Sequence, residues 1–170
     1  MAEHTAAVSI LSDAFGRVHD LVGEVTTGLT EPVATYRLHP EANTVGWLVW
    51  HLSRVQDDHV ADAAGTDQVW PLWRDRFGLP FDDYATGYGQ TPEEVGAVEV
   101  TGELLAGYHA EVHRATARYL ESVTAAELER VVDDSWDPPV TVSVRLVSVI
   151  SDCLQHLGQA AYVRGLTERG

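Results

Sequence analysis

A long proline-free segment, residues 141–169, constrains the fold of this chain more than any other stretch. Its apolar residues recur at intervals of three and four, which is the spacing of one face of an α-helix. The pattern predicts a helix of several turns with one buried side. Asp152 and His156 stand four residues apart in it, so their side chains lie one turn apart on the same face. A carboxylate and an imidazole placed in this way can bind one metal ion, with a further ligand from another element.

Three other segments show the same helical spacing of apolar residues. They cover about residues 5–27, 44–64 and 102–122. Asn43 or Thr44 is the expected N-cap of the second helix, and Gly65 is expected to end it; Thr101 is the expected N-cap of the third. Together with the last helix, they predict an all-α fold: a four-helix bundle with long crossover connections.

The connections between these helices are unusual in length and composition. Residues 65–100 are rich in aromatic residues, proline and glycine, and we expect one short helix near residues 69–77. Connections this long inside a compact domain are usually functional or pack as a lid. A short helix at residues 125–132 and a rigid crossing at residues 133–139 are expected before the last helix.

Composition excludes several classes of function. The 170 residues fit a single domain, residues 1–170, and the net charge of −15 opposes binding to nucleic acid or to an anionic membrane. No apolar run is long enough to cross a membrane, and the N-terminus has no signal-peptide pattern. The single cysteine excludes an internal disulfide and fits a reducing compartment. We therefore predict a cytoplasmic protein.

The further metal ligand is best sought at His51, at the centre of the apolar stripe of the second helix. A histidine on such a stripe is more often a core residue than a ligand, but Asp152 and His156 supply the partners that a site requires. The pair His109 and His113 is a rival by spacing alone. It lies off the apolar stripe of its helix, so we expect it on a solvated flank.

Other reactive or charged side chains are expected to have structural roles. Cys153 lies in the middle of the apolar stripe of the last helix, which predicts a buried and inert thiol. Arg54 and Arg164 could bind a substrate carboxylate, but ion pairs on the surface are the expected role of both.

Two short phrases carry a resemblance to a known family. Residues 44–52, TVGWLVWHL, and residues 156–159, HLGQ, followed by Arg164, Gly165 and Leu166, resemble the two signature regions of the DinB/YfiT-like superfamily. In that family a divalent metal is held by one histidine of the second helix and two residues of the last. The resemblance therefore implies His51, Asp152 and His156 as ligands. Asp152 departs from the histidine or glutamate more usual at its position.

The resemblance also implies an activity. Three protein ligands with open coordination positions are typical of a site that performs chemistry, and two imidazoles with one carboxylate suit Zn, Ni, Mn or Fe(II). The expected function is transfer of a low-molecular-weight thiol, in particular mycothiol, to a small electrophile by way of a metal-bound thiolate, or a related isomerisation. Trp47, Trp70 and Trp73 are the expected substrate-binding residues. The alternatives are a non-catalytic binding module and a purely structural bundle. A homodimer is expected.

Overall fold

Four long helices form the body of the protein in a computed structural model, which describes the backbone of residues 2–167 and the side chains of residues 6–167. In chain order the elements are α1 (Ala2–Thr26), α2 (Glu31–Ala34), α3 (Val45–Ala64), a 3₁₀ turn (Trp70–Leu72), α4 (Arg74–Phe77), α5 (Pro92–Gly96), α6 (Gly102–Ser122), α7 (Ala125–Glu129), β1 (Val131–Asp133), β2 (Val140–Thr141) and α8 (Val142–Thr167). The predicted all-α four-helix bundle is confirmed.

The long helices pack in a ring. Helix α3 lies against α8 and α6, and α1 lies against the same two neighbours. Their apolar stripes meet in one cluster of buried side chains along the bundle axis, which includes Phe15, Leu48, Leu105, Leu146 and Leu157. Because α3 and α8 are direct neighbours, His51 and the Asp152–His156 pair are carried on facing helices.

The ends of the helices follow the local sequence signals. The hydroxyl of Thr44 accepts a hydrogen bond from the backbone N–H of Trp47 and caps α3, while Gly65 adopts a left-handed conformation at the other end. Thr101 caps α6 in the same way, through the N–H of Leu104. The predicted caps are confirmed, and they fix the direction in which α3 presents His51.

The region before α8 differs from the prediction. The short helix expected at residues 125–132 ends at Glu129, and the expected rigid crossing is the turn of a small antiparallel hairpin. Val131 pairs with Thr141, so β-branched residues on both sides of the turn find a partner strand. The helical pattern could not reveal this pairing because it joins residues on either side of a proline-rich turn.

Helix α8 confirms the long helix expected in this region within the described residues. Residues 168 and 169, at the end of the predicted segment, lie outside them. Among residues 2–167, no helix is long and apolar enough to cross a membrane.

Candidate metal centre

His51, Asp152 and His156 come together between α3 and α8. One ligand atom from each of the three side chains can be chosen so that all lie within 4.8 Å of one another. Within the part of the chain that the structure describes, no other group of three or more His, Cys, Asp or Glu side chains is this close. His51 is buried, with 7% of its surface exposed, and the other two are partly buried.

The orientation of His51 is fixed by the connection between α3 and α6. Its Nδ1 lies 2.5 Å from the carbonyl oxygen of Thr86. Because a carbonyl oxygen can only accept, Nδ1 carries the hydrogen and Nε2 keeps a free lone pair. The Trp47 ring stacks on the imidazole at a centroid distance of 4.5 Å. This is the arrangement by which proteins orient a histidine ligand through its second nitrogen.

Asp152 and His156 are oriented by α8 itself. His156 Nδ1 donates to the backbone oxygen of Asp152 at 2.9 Å, which again leaves Nε2 free. The same Nδ1 lies 3.5 Å from Oδ2 of Asp152. This Oδ2 atom is buried and has no hydrogen-bond partner among the described residues. A buried carboxylate oxygen without a donor needs a compensating charge, and a bound cation would supply it.

The electrostatics keep His51 and Asp152 in the states that a metal requires. Burial lowers the pKa of His51, so its imidazole is neutral near pH 7. Burial opposes ionisation of Asp152, but the nearby His156 side chain, with help from His51, holds the pKa of the carboxyl below its ordinary value. The side chain of Asp152 in turn raises the pKa of His156. Two neutral nitrogen donors and one carboxylate suit a borderline divalent metal.

A buried ion pair anchors the connection that supports His51. Arg54 is fully buried and lies 3.3 Å from Asp57, and its Nε donates to the carbonyl oxygen of Ala85. Asp57 also accepts the hydroxyl of Tyr108 at 2.8 Å. The expectation of a surface ion pair for Arg54 is therefore wrong: the guanidinium holds the backbone next to Thr86.

Arg164 makes contacts at the end of α1 that the sequence did not predict. Its Nη1 donates to the carbonyl oxygens of Glu24 and Val25 at 3.0 and 2.7 Å. These carbonyls lie in the last turn of α1, where no helical backbone N–H one turn further on pairs with them. Arg164 therefore ties the end of α8 to the end of α1.

Two of the three expected substrate-binding tryptophans lie elsewhere. Trp70 is buried in the core against Tyr108, and its indole N–H donates to the carbonyl oxygen of Asp83. Trp73 also packs on Tyr108, and the guanidinium of Arg76 covers its ring. The connection folds back on α6, which corrects the expectation that these rings line the site. Trp47 lies at the site, stacked on His51.

A different tryptophan lines the cavity next to the metal centre. The cavity has a volume of about 300 Å³ and is bounded by Asp152, by Arg145 and His59, and by Trp136 of the hairpin turn. Trp136 is 67% exposed. Sequence reasoning placed Trp136 in a rigid crossing and missed this role. The only signal was an aromatic residue in a turn just before the helix that carries two candidate ligands.

The rival pair on α6 is placed differently from the prediction. His109 is fully buried and its Nδ1 lies 3.1 Å from Oγ of Ser53, so the expected solvated flank is wrong. His113 is half-buried and stacks on His19 of α1 at 4.5 Å. The stacked rings are nearly parallel, so their in-plane lone pairs do not converge. Cys153 is buried as predicted, and burial raises the pKa of its thiol far above its ordinary value.

The fold and the site define a class: a four-helix bundle with a His, Asp, His group between its second and last long helices. Comparison with known families shows to which protein family the chain belongs. The family model for mycothiol S-transferase matches residues 10–169, and the chain belongs to this family. This finding confirms the resemblance to the DinB/YfiT-like superfamily.

The comparison with solved structures agrees with the family assignment. The crystal structure of a conserved protein from Enterococcus faecalis aligns with a TM-score of 0.87 and 33% identity, over 95% of this chain and 97% of that one. No curated protein matches the chain.

Proposed function

We propose that this protein is a divalent-metal-dependent transferase that joins mycothiol to a small electrophile. The observation that carries the proposal is the convergence of His51, Asp152 and His156 in a member of the mycothiol S-transferase family. Three protein ligands leave coordination positions for exogenous molecules. A Zn, Ni, Mn or Fe(II) ion bound there would lower the pKa of a thiol and so provide a thiolate near neutral pH.

The residues of the chain have separate tasks in this proposal. His51 and His156 keep their Nε2 lone pairs free because their Nδ1 atoms donate to backbone carbonyls. Asp152 brings a negative charge to the ligand set. Trp47 shields one face of His51 from water and presents an apolar surface beside it. In the transfer, the thiol proton goes to solvent, a carbon–sulfur bond forms, and a leaving group such as halide departs with the bonding electrons.

The experiment combines metal analysis with turnover. The protein is purified without a histidine tag beside His51→Ala, His156→Ala and the exposed control His39→Ala. We expect near-stoichiometric metal in the parent and in the control, and little in the two ligand variants. Transfer of mycothiol to an alkyl halide, followed by mass spectrometry, should show the same ranking. Unchanged transfer by His156→Ala would overturn the proposal.

One alternative has its own outcome in this experiment. Asp152 is shorter than the glutamate or histidine more usual at its position, which supports the alternative of a non-catalytic metal-binding bundle. Metal bound in the parent with no thiol transfer for any electrophile would favour that alternative. Absence of metal after dialysis against Zn and Mn would favour a structural bundle.

The proposal includes a homodimer located in the cytoplasm. The outward face of α8 carries exposed Val144, Val147 and Leu154 on one side of the helix. Such a stripe suits the same stripe of a second copy. Light scattering after size exclusion should give twice the chain mass for the parent and the single mass for Leu154→Glu. A parent with the single mass at micromolar concentration would contradict the dimer. Cell fractionation tests the location.

A further inference from the structure

The lining of the cavity beside Asp152 contains the guanidinium of Arg145, whose hydrogen bonds are incomplete. Arg145, on α8, projects its guanidinium into the cavity wall, with 18% of its side chain exposed. Its Nη2 lies 3.4 Å from Oδ2 of Asp133, longer than the usual 2.7–2.9 Å of a charged hydrogen bond. Its Nε has no hydrogen-bond partner among the described residues.

The two neighbours of Arg145 are engaged in other ways. Oδ1 of Asp133 accepts both the backbone N–H and the hydroxyl of Ser135, at 3.0 and 2.6 Å, and so holds the hairpin turn. The other neighbour, His59, offers its Nδ1 at 3.1 Å from Nη1 of Arg145. Since the guanidinium can only donate, Nδ1 of His59 is an acceptor and this ring is neutral. Arg145 therefore keeps hydrogen-bond donor capacity that these two neighbours do not use.

The rest of the cavity is small, and its lining is part polar, from Asp133, Ser148 and Asp152, and part apolar. Val55, Val140 and Val149 form the apolar part, and the exposed ring of Trp136 stands at its border. Its volume of about 300 Å³ is at the lower end of the range for small-molecule sites. An apolar wall with one fixed cation is suited to a compact molecule with an apolar body and one anionic group.

The positive charge of Arg145 is significant because the protein as a whole is acidic. The chain carries a net charge of −15, so an anion gains nothing from the overall field of the protein. An anionic ligand must be bound by local positive charge. Arg145 supplies it at one end of the cavity, and a cation held by His51, Asp152 and His156 would add to it at the other.

We propose that this cavity binds a small acidic electrophile, with the substrate carboxylate on the guanidinium of Arg145 and the reactive carbon toward Asp152. That the bound molecule is the electrophile rests on the proposed function; that the cavity selects a carboxylate does not. A planar guanidinium matches the two oxygens of a carboxylate. Carboxylate binding, which the sequence offered only as the less favoured role of Arg54 and Arg164, is thus assigned to Arg145.

Binding tests the carboxylate directly, without turnover. Benzoate and benzamide have the same ring and differ in charge, and each is titrated into the metal-loaded full chain by ligand-observed NMR. We expect the parent to bind benzoate more tightly than benzamide. Arg145→Gln should weaken benzoate at least tenfold and leave benzamide within twofold. Arg118→Gln, at an exposed position on α6, is the matched control and should match the parent.

A second variant keeps the test decisive if Arg145→Gln fails to fold. Ser148 lies on the cavity wall and is exposed, and Ser148→Asp adds a negative charge there while Arg145 is retained. Ser148→Asp should also weaken the binding of benzoate and leave the binding of benzamide unchanged. Equal binding of benzoate and benzamide to the parent, or benzoate binding that neither variant reduces, would overturn the inference. The second result would mean that the carboxylate binds the metal instead.

Measurements of turnover test this inference separately from the proposed transferase function. Monoethyl fumarate and diethyl fumarate accept a thiol in the same way: a carbon–sulfur bond forms at one alkene carbon and a solvent proton is added at the other. After subtraction of the uncatalysed rates, Arg145→Gln should lower kcat/KM for the monoester at least tenfold and for the diester less than twofold. An equal loss for both esters would overturn the carboxylate role. Arg145-dependent benzoate binding without any thiol transfer would overturn the transferase alone.

Discussion

The carbonyl oxygen of Thr86 lies 2.5 Å from Nδ1 of His51 and sets which nitrogen of that imidazole is free. The two residues belong to different elements, because His51 is on α3 and Thr86 is in the connection that follows it. The contact depends on Gly87, whose φ of 98° lets the backbone approach the ring. A Cβ at this position would lie 2.7 Å from Nδ1 of His51.

The first prediction concerns this close approach. Gly87→Ala should displace the Thr86 carbonyl from His51 and weaken metal binding by about 10- to 100-fold, the usual effect of losing such a supporting hydrogen bond. Gly89→Ala is the matched control. Gly89 also has a positive φ, of 73°, but a Cβ there meets no atom within 4 Å. Metal affinities measured by competition with a chelator should be lower for Gly87→Ala than for Gly89→Ala. Equal affinities would mean that the Thr86 contact does not support the ligand.

The second prediction concerns the coupling between Asp152 and His156. The carboxylate, 3.5 Å from Nδ1 of His156, raises the pKa of that imidazole. Asp152→Asn removes the charge with little change of shape, so the pKa of His156 in the metal-free protein should fall. NMR titration of the imidazole resonances measures this directly. Gln155→Glu, at an exposed position of α8, is a control that alters charge off the site. A His156 pKa unchanged by Asp152→Asn would contradict the coupling.

The third prediction concerns the buried pair of Arg54 and Asp57. Asp57→Asn leaves the guanidinium without a counter-charge in the core, and it weakens the acceptor used by Tyr108. Loss of one partner of a buried pair typically costs about 3–5 kcal/mol of the free energy of unfolding. Urea denaturation measures it. The exposed pair Asp13 and Arg17 provides the comparison, because Asp13→Asn should change stability little.

The fourth prediction concerns acid stability. Burial, with the neighbouring His19 and His113, lowers the pKa of His109 to about 3. In the unfolded chain the pKa is about 6.5, so between these values the unfolded state binds more protons and stability falls as the pH falls. His109 alone should contribute about 2 kcal/mol of destabilisation between pH 7 and pH 5. This destabilisation is small above pH 6.5 and grows as the pH falls toward the folded-state pKa of about 3.

The test of this effect compares how steeply the free energy of unfolding depends on pH in the parent and in two variants. His109→Gln has no titrating group at this position, so its free energy of unfolding should fall less between pH 7 and pH 5 than that of the parent. His39→Gln, at an exposed position, should retain the slope of the parent. Equal slopes for the parent and His109→Gln would show that His109 is not held neutral by the fold.

Local sequence patterns were enough to predict the helices and the candidate ligands. Apolar spacing located the four long helices, and Thr44, Gly65 and Thr101 marked their ends, because helix formation and capping depend on residues three or four positions apart. The i, i+4 spacing of Asp152 and His156 placed both on one face for the same reason. His51 was selected by its position on an apolar stripe and by the family phrases around it.

The surroundings of those ligands depend on long-range packing. The burial of Arg54 and His109, the return of Trp70 to the core, and the position of Trp136 at the cavity all depend on contacts between residues far apart in the chain. Such contacts are set by how the helices pack and where the connections fold back. Neither produces a periodic pattern in the local sequence. Arg145 illustrates this limit: its spacing predicts a helix position, and only the packed hairpin shows that it faces the cavity beside Asp152.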